Sequence, residues 1–406
     1  MRLNFIRSNR FSIVLVLCLL GVPFAAAQTQ NAKKSSIDSF IEKQMNESGM
    51  VGLAAAIIVN KKVVWTKGYG YADRDNKAPF TPNTIMNIGS ISKTITGASL
   101  MHAVEEKRVS LDEDINSYLP FKVINPFLPN ERITLRNLAT HTSGITDRTP
   151  IYESTYYYGG DSPEPLGEFL RNYFEPNGKY YSKDNFLKVK PGSYREYSNI
   201  AAGLAGYIVE VTTGEKLDEY SKRHIFRPLK MNDTGWFLSE IKLANHSKLY
   251  NRQGDITKPI QLYGLTTYPD GGVRTSVSDL SKFFICLLNA GDYKGARILK
   301  KKSVEEMLTF QYTALNKPEN IELNEINSGI FWATKRNVTR IGHAGTDPGV
   351  RTEMLSDLSK EVGVILFVNT DITTSLGEND FKGFLSISNE LWKYAQTFKN
   401  AKTINR

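Results

Sequence analysis

The chain is predicted to adopt an α+β fold: an antiparallel sheet flanked by helices from both termini, with a mostly helical domain inserted between them. Two observations predict this. Strand-like runs occur only near the ends of the chain, at 52–59 and 62–71 early and at 329–334, 338–343, 351–357 and 362–369 late. The sequence between them is largely helical in its apolar spacing. Short turns between the late strands favour hairpins over a doubly wound parallel sheet. The partition that follows is a leader at 1–27, a sheet-bearing domain from 28–115 and 255–400, the insertion at 116–254 and a tail at 401–406.

In chain order, Ile37, Phe40, Ile41 and Met45 give an amphipathic first helix. The run 52–59 is almost wholly apolar, Asn60-Lys61 makes a turn, and 62–71 returns as the second strand of a hairpin. A largely buried helix is predicted within 87–108. The insertion carries helices at 166–174, at 200–211 ended by Gly214, and at 217–225. Seven tyrosines, Tyr152, Tyr156, Tyr157, Tyr158, Tyr173, Tyr180 and Tyr181, fall within 152–181. They mark a surface excursion whose rings are expected chiefly to cover helical faces, with a place over a cleft as the alternative. The late strands are followed by a last helix bearing Phe384, Leu391, Trp392 and Phe398.

Composition is ordinary for a globular chain of 406 residues, with 41% hydrophobic and 23% charged. Arg2, Arg7 and Arg10 precede the apolar run 11–24 and Ala25-Ala26-Ala27, the pattern of a secretory signal peptide cut after Ala27. A periplasmic or secreted protein is expected, with membrane attachment only if the leader stays on. Losing those three arginines lowers the formal charge from +9 to +6, and no basic block suggests nucleic acid. Cys18 leaves with the leader, so Cys286 has no intramolecular partner and is read as core filling.

Between Asn87 and Val104 the only charged side chain is Lys93, one turn after Ser90 and on the same face. A buried ammonium must be partnered or deprotonated, since desolvation lowers a lysine pKa by up to ~3–5 units. Ser90 and Lys93 therefore fit an activated nucleophile at a helix start, where free N–H groups favour an oxyanion. The spacing alone is weak: Ser239-Glu240-Ile241-Lys242 repeats it without the preceding glycine or the charge-free surroundings. Tyr197-Ser198-Asn199, which opens the helix at 200, offers a proton carrier in Tyr197, and equally a plain helix cap. His343-Ala344-Gly345-Thr346 ends one strand and turns into the next, with Gly345 allowing a substrate to approach the backbone.

Taken in order, Ser90-Ile91-Ser92-Lys93, Tyr197-Ser198-Asn199 and His343-Ala344-Gly345 resemble the motifs of the penicillin-recognising serine hydrolases. That family comprises class C β-lactamases, serine D-alanyl-D-alanine carboxypeptidases and related esterases and D-amino-acid peptidases. The stretches 138–145, 226–235 and 271–280 also look like its landmarks, and the likeness spans about 36–398. The resemblance implies a β-lactamase/transpeptidase-like fold and acyl transfer through Ser90, needing no metal or organic cofactor. It implies that Lys93 is base or co-base and that Tyr197 passes the proton. Asn199 would hold the substrate amide and Lys93, and His343, Gly345 and Thr346 would form the opposite wall. The N–H groups of Ser90 and Thr346 would receive the oxyanion. The expected partner is a small-molecule or peptide substrate, with a cell-wall-derived peptide as one candidate.

One departure bears on the substrate. Class C β-lactamases usually carry lysine where this chain has His343, which argues against an efficient β-lactamase more than against catalysis. Arg351 is the candidate for the missing charge, although a strand-edge arginine is more often solvated. A non-catalytic penicillin-binding or sensor module keeps the pocket but has no need of Ser90, Lys93 and Tyr197 together. Gly-x-Ser-x-Gly and His-Glu-x-x-His motifs are absent, which disfavours an α/β-hydrolase or a metallohydrolase.

Overall fold

The computed structural model describes residues 35–253, 256–372 and 378–404. The leader expected at 1–27 lies outside the described residues. Residues from Ser36 onward form one compact unit. At its centre is a seven-stranded, fully antiparallel sheet built from strands β1 (Gly52–Val59), β2 (Lys62–Asp73), β3 (Ala78–Pro79), β4 (Ala333–Lys335), β5 (Arg340–Asp347), β6 (Val350–Asp357) and β7 (Val362–Val368). Their order is β4-β5-β6-β7-β1-β2-β3. The two ends of the chain meet where β1 pairs with β7, Leu53 opposite Val368 and Val59 opposite Val362.

That pairing explains why β1 reads as an unbroken apolar run. Both of its faces are covered. Leu53, Ala55, Ile57 and Val59 pack against helix α1 (Ser36–Glu47) and the last helix. Ala54, Ala56 and Ile58 face a larger core that continues through Ile95 into Leu204 and Ile208. Asn60 and Lys61 both have positive φ, which suits the two-residue hairpin to β2. Four further helices matter here: α2 (Ser92–Glu105), α3 (Asn199–Thr213), α4 (Val277–Leu288) and α5 (Glu378–Ile404). Helix α5 thus runs through part of the segment set apart as a tail. Gly214 caps α3 in the left-handed conformation. Cys286 is fully buried in α4, its thiol pushed up to about 12 by burial.

Three expectations are corrected. The run 329–334 is not a strand, because only Ala333–Lys335 joins the sheet. Ile330, Phe331 and Trp332 instead plug the core as a turn, with the Ile330 and Phe331 amides bonded to Met307 and Ala139 carbonyls. The strand expected at 338–343 starts later and runs through Asp347, since Arg336, Asn337 and Val338 all take positive φ in the preceding turn. The helix expected at 217–225 stops at Ser221 and continues as one π turn, Lys222–Phe226.

Candidate active site

Helix α2 is preceded by a 3₁₀ turn, Gly89–Ile91, which carries Ser90. Gly89 has φ +53, and a side chain there would come within 3.2 Å of Gly345 Cα, the Thr346 nitrogen and an Asp347 carboxylate oxygen. The turn is therefore seated directly against β5. Gly345 answers the same constraint: a Cβ on it would lie 2.2 Å from the Ile88 carbonyl oxygen. The bare backbone of Gly345 is what lets β5 reach the serine turn.

Lys93 is completely buried, and each of its three ammonium protons has an acceptor. It donates to Ser90 Oγ at 3.1 Å, to Asn199 Oδ1 at 2.7 Å and to the Asp270 carbonyl at 2.8 Å. Burial opposes the charge, but Tyr197, Asp270 and Asp147 outweigh it and hold the Lys93 pKa above the ordinary lysine value. Three acceptors within hydrogen-bond reach are the surroundings of a partnered ammonium. The Tyr197 hydroxyl lies 3.0 Å from Ser90 Oγ, and Lys93 Nζ sits 5.1 Å from the tyrosine ring centroid. Ser90, Lys93, Tyr197 and Asn199 thus converge, although Ser90 and Tyr197 are 107 residues apart.

Helix α3 delivers Tyr197 and Asn199 through a cap centred on Asp147. One Asp147 oxygen accepts from Ser198 Oγ at 2.7 Å and the Ile200 amide at 3.0 Å. The other accepts from the Asn199 amide at 2.7 Å and Asn199 Nδ2 at 2.9 Å. Ser198 itself caps the helix by accepting from the Ala201 amide. The segment therefore caps the helix and at the same time brings Tyr197 to Ser90. His141, held neutral by burial, accepts from the Ser198 amide and lies 4.2 Å from the Tyr197 ring, fixing its plane.

The remaining wall is β5. His343 is buried, and its Nδ1 lies 2.8 Å from the Ala344 carbonyl, so that nitrogen carries the proton and Nε2 is left an acceptor. Burial, then Lys93 and Lys335, depress its pKa to about 3, and it is neutral at physiological pH. Two cations the motifs did not identify as a pair line the same 310 Å³ cleft as Ser90: Lys335 and Arg351. The solvated Arg351 expected from sequence is instead half-buried, its guanidinium 4.8 Å from the Phe381 ring centroid and bonded to Thr346 Oγ1. The tyrosine excursion is also corrected in part: Tyr152 and Tyr156 line the cleft, while Tyr173 and Tyr180 pack on Phe169. Asp147, Asp270 and Lys335 carried no sequence signal, because each acts through contacts with distant segments, and His141 lies in the landmark stretch 138–145 without any local mark of its contact with Tyr197. The second Ser-x-x-Lys, at Ser239, is exposed at both ends. Among the described residues two groups have metal-ligand chemistry, His102 with Glu106 and His224, and Asp218 with Glu219 and Glu240. Neither lines the cleft.

A serine in the turn that leads into a buried helix, bonded to both a buried lysine and a tyrosine, has the arrangement of an activated nucleophile. The chain belongs to the Beta-lactamase family, whose model matches residues 37–383. It is 26% identical over 347 residues to Protein flp of Staphylococcus aureus strain MW2, covering 84% of this chain and 64% of that one. The chain therefore spans less than two thirds of that relative's length. Among solved structures it resembles the octameric penicillin-binding protein homologue from Pyrococcus abyssi, with 26% identity, TM-score 0.65, and 82% and 72% of the two chains covered. The D-amino acid amidase from Ochrobactrum anthropi SV3 shares the fold at 22% identity, with TM-score 0.68 and 89% and 100% covered.

Proposed function

We propose that the chain is an exported serine hydrolase that transfers the acyl group of a D-amino-acid peptide, or of a related amide or ester, to Ser90 and then to water. The observation that carries this is the double contact on Ser90 Oγ, Lys93 at 3.1 Å and Tyr197 at 3.0 Å. With Lys93 held as an ammonium, the base is proposed to be Tyr197 in its phenolate form, its own proton already released to solvent and its charge balanced by Lys93 beside it. Ser90 Oγ attacks the carbonyl carbon as its proton passes to Tyr197, and the Ser90 and Thr346 amides receive the oxyanion. The C–N or C–O bond then breaks, and Tyr197 protonates the leaving group. Water repeats the cycle on the ester. Asn199, tied to both Lys93 and Asp147, is proposed to orient the substrate amide.

Lys335 and Arg351 support a carboxylate on the leaving side, as in a D-alanyl carboxypeptidase, and supply the charge that His343 lacks. The neutral His343 supports a second reading, an esterase or amidase without carboxylate recognition. Weak β-lactamase action or a non-catalytic penicillin-binding role are the further alternatives. Export rests on the leader sequence, with the periplasm or the outside as the proposed location and a cell-wall-derived peptide as the proposed substrate.

Intact-protein mass after exposure to a penicillin, and separately to a fluorophosphonate, tests the reading. A Ser90-dependent adduct with both reagents is expected, absent in Ser90→Ala. Labelling by the neutral reagent alone would favour the esterase reading, and labelling by neither would leave a binding module.

A further inference from the structure

Helix α2 starts just after Ser90 and carries Lys93 in its first turn, while its far end holds a cluster that acyl transfer does not use. His102 and Glu106 stand there four residues apart on one face, with His102 about 15 Å along the axis from Ser92. His224 meets them from the π turn Lys222–Phe226, its ring centroid 4.2 Å from that of His102. One ligand atom from each of the three residues lies within 4.8 Å of the other two. Such π turns are rare and are found frequently at functional sites.

Tyr220 holds the cluster from behind. It is 1% exposed, and its single phenolic proton goes to Glu106 Oε2 at 3.0 Å. The 2.7 Å contact between its oxygen and His102 Nδ1 is therefore donated by the imidazole. In the neutral ring the lone pair is then on Nε2, and the opposite N–H is anchored on oxygen, as it is in nearly all metal-ligating histidines. Glu106 Oε1 remains as a donor on a side chain that is 37% exposed. Arg223 Nε donates to His224 Nε2 at 2.9 Å, and its guanidinium pairs with Glu215. That arginine is exposed, so a metal ion can displace it.

We infer that His102, Glu106 and His224 bind a zinc ion that ties the end of α2 to the turn at 222–226. Two imidazoles and one carboxylate are a zinc donor set, with the fourth position left to water. Tetrahedral bonds of ~2.0–2.1 Å set the donors about 3.3 Å apart, so the three close by about 1.5 Å, which rotation of partly exposed side chains supplies. Calcium and magnesium call for more oxygens than the cluster offers. The acidic group of Asp218, Glu219 and Glu240 has no nitrogen donor, and Lys222 already pairs with Glu219 and Glu240. The inference stands apart from the acyl-transfer reading, because no residue of the cluster lines the cleft.

Zinc titrated into the purified, metal-stripped protein against a competing chelator at neutral pH tests this. One site per chain is expected, with a dissociation constant at or below about 10 μM. His224→Ala should weaken it about a hundredfold, and Tyr220→Phe about tenfold, by releasing His102 and Glu106 from their common anchor. Arg223→Ala removes a neighbouring positive charge and should tighten it about fivefold. Cobalt(II) in place of zinc should show the visible bands of a four-coordinate ion, and His224→Ala should lose them. His224 and Arg223 stand at the surface, and circular dichroism checks that their variants fold as the unsubstituted protein does. Weaker binding, or a site whose affinity His224→Ala leaves within about twofold, overturns the inference. Zinc should leave Ser90 labelling unchanged; a zinc-dependent loss of labelling that persists in His224→Ala would put the ion in the cleft and overturn it as well. Absence of Ser90 labelling with zinc binding preserved would sink the acyl-transfer reading alone.

Discussion

Lys93 carries its charge with no solvent exposure, and it does so because three acceptors and nearby acidic groups replace water. Ser90→Ala removes one acceptor and the nucleophile together. Turnover is expected to vanish while the thermal midpoint stays within a few degrees, and an active, folded alanine protein would sink the mechanism. His343 gives a pH-dependent expectation with a definite sign. Its pKa is about 3 when folded, against a reference of ~6.5 when unfolded, so between those values the unfolded chain binds the extra proton. The stability His343 permits is fully present above pH ~6.5 and declines as pH falls towards 3. Burial raises Asp270 to about 7 and Asp347 to about 6, and their slope is opposite over the same range. The comparison must therefore be with His343→Gln. Between pH 7.5 and 4.5 the unsubstituted protein should lose about 2–3 kcal/mol more than the variant in urea unfolding.

At the scale of elements, the site is two contacts between segments that are distant in sequence. Asp147 joins the loop after 144 to the start of α3, and Asp147→Ala strands the Asn199 and Ile200 amides and the Ser198 hydroxyl. A loss of about 3 kcal/mol is expected, with kcat falling more than tenfold and KM changing less, since Asn199 loses its anchor. Steady-state kinetics beside a denaturant curve checks both. Gly345 couples β5 to the serine turn. Gly345→Ala drives a methyl into the Ile88 carbonyl and should cost about 1–3 kcal/mol and slow Ser90 labelling sharply. Periodicity found α1, α3 and α5 because their apolar faces repeat locally. It missed the plug at 329–332, whose residues are apolar for burial in a turn, and apolar runs do not distinguish that from a strand.

Over the whole molecule, Asn369 ties the two sheet-forming ends of the chain to the segment at 247–248. Its Oδ1 accepts from the Gly52 amide, and its Nδ2 donates to the Tyr71 and Lys248 carbonyls and to Ser247 Oγ. Asn369→Ala should lower global stability by about 3 kcal/mol, read from urea midpoints, while leaving the rate of Ser90 labelling in the folded protein unchanged. The sequence by itself determined the sheet from both termini, the buried helix behind Ser90, and the three short motifs, because apolar period and local spacing are properties of neighbouring residues. Tertiary structure alone decided that Lys93 is an ammonium, that His343 is neutral with Nε2 as acceptor, and that Asp147, His141, Lys335 and two of the tyrosines belong to the site. Charge state and hydrogen-bond partnership depend on which distant groups replace water around an atom, and no local pattern in a chain encodes that.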